Sequence, residues 1–184
     1  MRLIRGLGLV MGAVLLSSML AVPAASATAT ASSAATDALA AYDCVIVAER
    51  ISPAKPDLRL GPRLCGQSPE RSRAAADASY VLVVFFEHVK YNTVRRGRST
   101  AVTVGSPCDS VGYRMSDLRD ANNDVGGISS YRYGTAGCNG GQIFYNTNLT
   151  GSQAIISNDC PNVGVVYNDH VWSMRAWRYP DCTC

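Results

Sequence analysis

Apolar positions change their pattern three times along the chain. From Leu7 to Val22 they run without a charge, behind Arg2 and Arg5. Pro23 ends the run, and Ala25-Ser26-Ala27 offers the small residues of a signal-peptidase site. The run falls short of the ~20 apolar residues of a membrane span, and no charged stop follows it. Residues 1–27 are therefore expected to be a secretion signal and not a stable membrane anchor. Residues 28–41 are nearly all Ala, Ser and Thr. They lack side chains large enough to offset the entropy of ordering, so a flexible leader is expected, with a frayed helix as the alternative. Ordered chain is expected from Tyr42.

Residues 42–79 form a small, cysteine-containing segment of their own character. Cys44-Val-Ile-Val-Ala48 has the β-branched composition of a short strand. Pro53, Pro56 and Pro62 interrupt regular structure beyond it. Ser68-Pro69-Glu70 opens a short helix, with Ser68 as N-cap and Pro69 at the first helical position. From Tyr80 the pattern turns to β. Val81-Leu-Val-Val-Phe-Phe86 is a buried-strand run, and short β-prone pieces then alternate with Gly, Asn, Asp and Pro. Residues 114–122 suit a turn of helix at most.

A weak internal repeat runs through residues 80–179. Phe86…Tyr91 parallels Phe144…Leu149, and Gly97 parallels Gly151. Cys108-Asp-Ser-Val-Gly parallels Cys160-Pro-Asn-Val-Gly, and Ile128–Tyr133 parallels Trp172–Trp177 with Ser130 aligned on Ser173. The order is kept while the offset shrinks, as expected of one duplicated unit whose first copy carries loop insertions.

Those residues resemble the βγ-crystallin superfamily, in secreted bacterial members such as crystallin-fold peptidase inhibitors and killer-toxin-like proteins. The unit opens with an aromatic, four residues, an aromatic, one residue and Gly. Phe144, Leu149 and Gly151 follow that frame with Leu in the second slot. Phe86 and Tyr91 follow it too, with Thr93 in place of Gly and Gly97 four residues late, which implies an extended first hairpin. Asn168-Asp169-His170-Val171-Trp172-Ser173 matches the unit's later polar motif except at Trp172. The resemblance implies a mostly β fold, two Greek-key motifs packed as a sandwich over residues 80–184. It also implies calcium as the candidate metal, on Asp124, Ser129, Asn168 and Asp169, with the structural alternative that these polar groups only fix turns.

Composition narrows the rest. Seven cysteines (Cys44, Cys65, Cys108, Cys138, Cys160, Cys182 and Cys184) in an exported chain are expected to form disulfides. Cys44 and Cys65 flank the Pro-rich stretch and are expected to pair. Cys138 with Cys160, and Cys108 with Cys182 or Cys184, are the further candidates. Zinc is disfavoured, because no CxxC occurs and only two histidines are present. The formal charge of +3 falls to about +1 without Arg2 and Arg5, and the basic residues are dispersed, so no nucleic-acid partner is expected.

Neither His88 nor His170 stands in a recognisable catalytic signature, and the acidic residues show no glycosidase spacing. A non-enzymatic, extracellular binding protein is the expectation, with a peptidase as one kind of partner. A calcium-binding structural or stress protein of the cell exterior is the alternative. Tyr131, Tyr133, Tyr145 and Trp177 are the candidate partner surface.

Overall fold

A computed structural model describes residues 39–77, 79–119 and 127–179. The secretion signal expected over residues 1–27 lies outside them, as do Asp124, Cys182 and Cys184. Among the described residues nine strands form two sheets. In chain order they are β1 (Cys44–Arg50), β2 (Leu58–Cys65), β3 (Tyr80–Phe86), β4 (Ser99–Val104), β5 (Tyr113–Met115), β6 (Ser130–Tyr133), β7 (Gly140–Asn146), β8 (Thr150–Ser157) and β9 (Ser173–Trp177). One helix, α1 (Pro69–Asp77), stands between β2 and β3. The Ser68 hydroxyl accepts the Arg71 N–H at 3.1 Å, which is the expected N-cap bond.

The first sheet has the order β2-β1-β4-β3-β6 and the second β5-β9-β7-β8. The copies are β3-β4-β5-β6 and β7-β8-β9, with Cys160 standing where the second copy's third strand would be. The copies exchange that third strand. β5 belongs to the first copy but pairs with β9 of the second. Cys160 belongs to the second copy but trades two 3.0 Å backbone hydrogen bonds with Tyr131 of β6. This is the expected sandwich of two Greek keys.

The exchange also corrects the repeat. Met115 faces Met174 as Cys160 faces Tyr131, so Met115, not Cys108, is the counterpart of Cys160. Leu118 N–H to the Trp172 carbonyl and Val163 N–H to the Ser129 carbonyl keep the same register. The short Cys-x-x-Val-Gly likeness belongs to two loops, and strand pairing, which sequence does not display, decides otherwise. Residues 113–115 are likewise strand, where the sequence suggests a helical turn from residue 114.

The other matches hold in three dimensions. Ser130 donates to the His88 carbonyl at 2.6 Å and accepts the Tyr91 N–H at 3.1 Å. Ser173 donates to the Asn146 carbonyl at 2.6 Å and accepts the Leu149 N–H at 2.9 Å. Each serine thus ties the last strand of its copy across the bend of that copy's first hairpin. Tyr91 and Leu149 both sit at positive φ, 58° and 59°, where the bend needs it. Gly97 stands in for the missing early glycine. A Cβ there would lie 2.7 Å from the His88 ring, as one on Gly151 would lie 2.7 Å from the Asn146 amide.

Residues 44–65 are built into the same sandwich. β1 runs parallel to β4 from Cys44 opposite Thr100 to Val47 opposite Thr103, so it extends the first sheet. Ile46, Ala48 and Leu58 join Leu82, Val83, Phe85, Tyr131, Ile143 and Met174 in the main core. Val45 faces the other way, with Leu39, Val81, Val84 and Ala101. Leu39 is 2% exposed, so the chain is already packed three residues before the expected Tyr42. Polar staples hold the hairpin down. Asp43 accepts both the N–H and the hydroxyl of Ser99, and Arg114 meets Asp57 at 2.7 Å. Arg50 bonds both oxygens of Asp109 and lies 4.4 Å over the Tyr113 ring. Burial opposes ionisation of Asp109, but the Gly112 N–H and the Arg50 guanidinium outweigh it and hold the carboxyl below its usual range.

The Cys44–Cys65 bond forms as expected. The second is Cys108–Cys138, not Cys138–Cys160. Cys160 is drawn to the far edge of the first sheet by its pairing with Tyr131, and its thiol is free. The two disulfides among the described residues point to a chain that folds outside the reducing cytoplasm. Among the described residues no helix is long and apolar enough to cross a membrane.

Removing the Ser173 hydroxyl takes away the donor to the Asn146 carbonyl and the acceptor of the Leu149 N–H. Ser173→Ala is expected to destabilise the protein by about 1–3 kcal/mol in urea titrations, with Ser130→Ala in the same range. A change below a few tenths at both sites would show that the ties are dispensable.

Candidate functional site

The second copy's connection from Cys160 to Trp172 is an arch with both ends anchored. Val163 and Val171 are buried in the core. Between them the arch closes on itself. The N–H groups of Tyr167 and Asn168 donate to the Gly164 carbonyl, and the N–H of His170 donates to the Tyr167 carbonyl. Asn162 accepts the Gly164 N–H at 2.8 Å, which fixes the turn into the arch. Gly164 takes φ +85° there. The first copy's hairpin braces the arch through the Lys90 N–H, 2.7 Å from the Pro161 carbonyl.

This construction raises two valines into solvent. Val165 is 96% exposed and Val166 57%. Beside them the His170 ring stacks on Tyr145 at 4.9 Å and 5°, with Trp172 edge-on to His170 at 6.2 Å. His170 Nδ1 lies 2.8 Å from the Asn168 carbonyl, which orients the ring. Val89 of the first copy completes a cleft of about 610 Å³ with Asn162, Gly164 and Asn168. Its walls carry amides and apolar groups and no carboxylate, ammonium or guanidinium. Such a cleft suits a neutral ligand surface with an apolar face.

The expected aromatic surface does not assemble. Tyr131 is 0% exposed and Tyr133 packs against it edge-on at 5.7 Å. Tyr133 reaches the second sheet, where a Cβ on Gly141 would lie 2.3 Å from its hydroxyl. Both are packing residues between the sheets. Trp177 faces Gly140 at the start of β7, whereas Tyr145 is at the far end of that strand. Trp177 packs with Tyr179 and under Arg175 instead. Of the four, only Tyr145 lines the cleft. Val165, Val166 and His170 escape a reading of the sequence, because exposure of a valine has no signature in one chain and His170 reads as an ordinary turn histidine.

The four expected calcium ligands divide. Asp124 lies outside the described residues. Asn168 donates to Asp169 Oδ2 at 2.8 Å, and the Asp169 N–H donates to the Ile128 carbonyl at 3.3 Å. Ser129 donates to the Glu87 carbonyl at 2.7 Å and is buried. Asn168 and Asp169 are thus brought against residues 127–129, so close that a Cβ on Gly127 would lie 2.2 Å from Asp169 Cα. They contribute one carboxylate. Among the described residues no three His, Cys, Asp or Glu converge as metal ligands.

Burial pushes the Tyr131 phenol far above its ordinary pKa, helped by Tyr133 and the Cys160 sulfur, and burial does the same to Tyr133. Neither hydroxyl has a nitrogen or oxygen partner among the described residues.

No protein-family model matches the chain, and no curated protein matches it. Among solved structures it is similar to a βγ-crystallin domain from Clostridium beijerinckii, at 23% identity and TM-score 0.38, over 52% of this chain and 97% of that one. A βγ-crystallin domain from Flavobacterium johnsoniae matches at 20% identity and TM-score 0.38, over 54% and 98%. A βγ-crystallin from Ciona intestinalis matches at 17% and 0.34, over 51% and 96%. The likeness is one of fold.

Because the Tyr131 hydroxyl is buried without such a partner, Tyr131→Phe is expected to leave the melting temperature unchanged or raise it. A loss above about 1 kcal/mol would reveal a bonded hydroxyl.

Proposed function

We propose that this chain is an exported, non-enzymatic protein-binding module whose partner docks on the arch at Val165–Val166 and in the cleft beside it. The observation that carries the reading is a valine pair held up in solvent by a hydrogen-bonded, doubly anchored arch. Apolar groups exposed on a rigid support gain free energy on burial and lose little conformational entropy in doing so. A protruding apolar loop with an uncharged surround fits a partner with an apolar recess. Extracellular peptidases that prefer apolar residues offer such a recess, which makes inhibition the specific form of this reading.

The disulfides and the apolar run at residues 7–22 support export. The Asn168 carbonyl orients the His170 ring, which stacks on Tyr145 as an aromatic wall of the cleft.

The test is inhibition of a panel of secreted peptidases by the mature chain. Active wild type with Val165→Asp and Tyr145→Ala each weakened at least about tenfold (~1.4 kcal/mol) supports the reading. Inhibition that survives Val165→Asp removes the arch from the contact.

The second reading is calcium binding, favoured by the Asn168–Asp169 turn lying against residues 127–129. With one carboxylate in that group, calcium is expected to leave the melting temperature unchanged. A saturable rise in calorimetry, lost in Asp169→Asn, would put this reading first.

A further inference from the structure

Backbone donors and acceptors along an open sheet edge invite another strand, so folds protect their edges. Three of the four edges here are guarded. β2 carries Arg59, Pro62 and Arg63. β5 is met by Asp57, through a parallel bridge and the ion pair to Arg114. The edge beside β6 is covered at Cys160, and Pro161 follows at once. The fourth edge is β8, Thr-Gly-Ser-Gln-Ala-Ile-Ile-Ser. It holds no charge and no proline over eight residues, and it is the terminal strand of its sheet. Ile155 on it is 79% exposed.

The duplication shows what this position accepts. β8 is the second strand of its copy, as β4 is of the first. The outer edge of β4 receives β1 along four residue pairs. The equivalent edge of β8 has no strand among the described residues.

We propose that β8 is a dimerisation edge, occupied by the β8 of a second copy of this chain in antiparallel pairing about a two-fold axis near Ala154–Ile155. A strand without ionisable side chains meets its own copy with no like-charge opposition, the usual obstacle to self-pairing. Antiparallel pairing of a strand with itself is isologous and closes at two, so it yields a dimer and no fibre. The axis sets the two exposed Ile155 side chains on one face, opposite or diagonal to each other, about 5–8 Å apart. A single strand pair is smaller than a standard interface, so association is concentration-dependent.

The experiment is sedimentation velocity of the mature chain, accessible thiols capped, from micromolar to millimolar concentration. Wild type is expected to pass from monomer to dimer, with amide exchange slowing along β8 as it does. Ile155→Lys and Ile155→Glu, each at an exposed site, are expected to stay folded by circular dichroism and to be monomeric alone. An equimolar mixture of the two is expected to dimerise. A wild type that stays monomeric throughout, single variants that still dimerise, or a mixture that stays monomeric each overturns the proposal.

Discussion

Neither sheet of this molecule is complete without the other copy's third strand. Among the described residues the strand that pairs with β5 is β9, and the residue that pairs with Cys160 is Tyr131. Backbone groups of a short strand cannot be left buried and unpaired. Each copy's third strand is therefore satisfied only once the other copy has folded. The two serine ties add a matching local constraint, because each fixes a hairpin bend against the strand that closes the same copy. Long-range exchange and local ties together make the duplicated half a single cooperative unit.

The N-terminal hairpin answers a different need. A sandwich of two copies leaves each second strand at a sheet edge. In the first copy β1 covers that edge in parallel, the Cys44–Cys65 bond closes the hairpin, and Arg50 and Asp57 reach to Asp109 and Arg114 of the duplicated half. Several of the staples are partly solvent-exposed ion pairs, worth little each. Ile46, Ala48 and Leu58 in the common core contribute more, since taking apolar surface out of water stabilises more than an ion pair left in it. This segment is as much a part of the sandwich as the strands it covers.

The features legible in the sequence are those set by local chemistry. The Ser68 cap, the Phe86 and Phe144 hairpins, the displaced Gly97 and the paired serines each depend on residues close to one another or on a repeated frame. The features that were not legible depend on strand order. The Cys108–Cys138 bond requires knowing which strands lie side by side, and the likeness of two loops points to the wrong counterpart for Cys160. The aromatic surface fails for the same reason. Tyr131 and Tyr133 alternate with Arg132 along β6, so one face must turn inward, and only the packing of the second sheet against it decides which.

The two copies of a duplicated fold share the burden of stability, and function can then settle where they differ. The first copy has its edge strand covered and Tyr113, one of the most deeply buried side chains, packed beneath Arg50. Among the described residues the second copy's edge strand has no further strand against it, and Val165 and Val166 are lifted away from the core. Each of these exposures costs solubility and gains nothing for folding, since the apolar atoms stay in water. A fold that guards its other edges with charge, proline and an added hairpin, yet leaves these two places open among the described residues of one copy, offers the two surfaces on which the proposed associations rest. The arch is rigid and protruding and suits a recess in a different protein. The edge is uncharged and suits its own likeness. The two surfaces thus differ in the kind of partner that each proposal assigns to them.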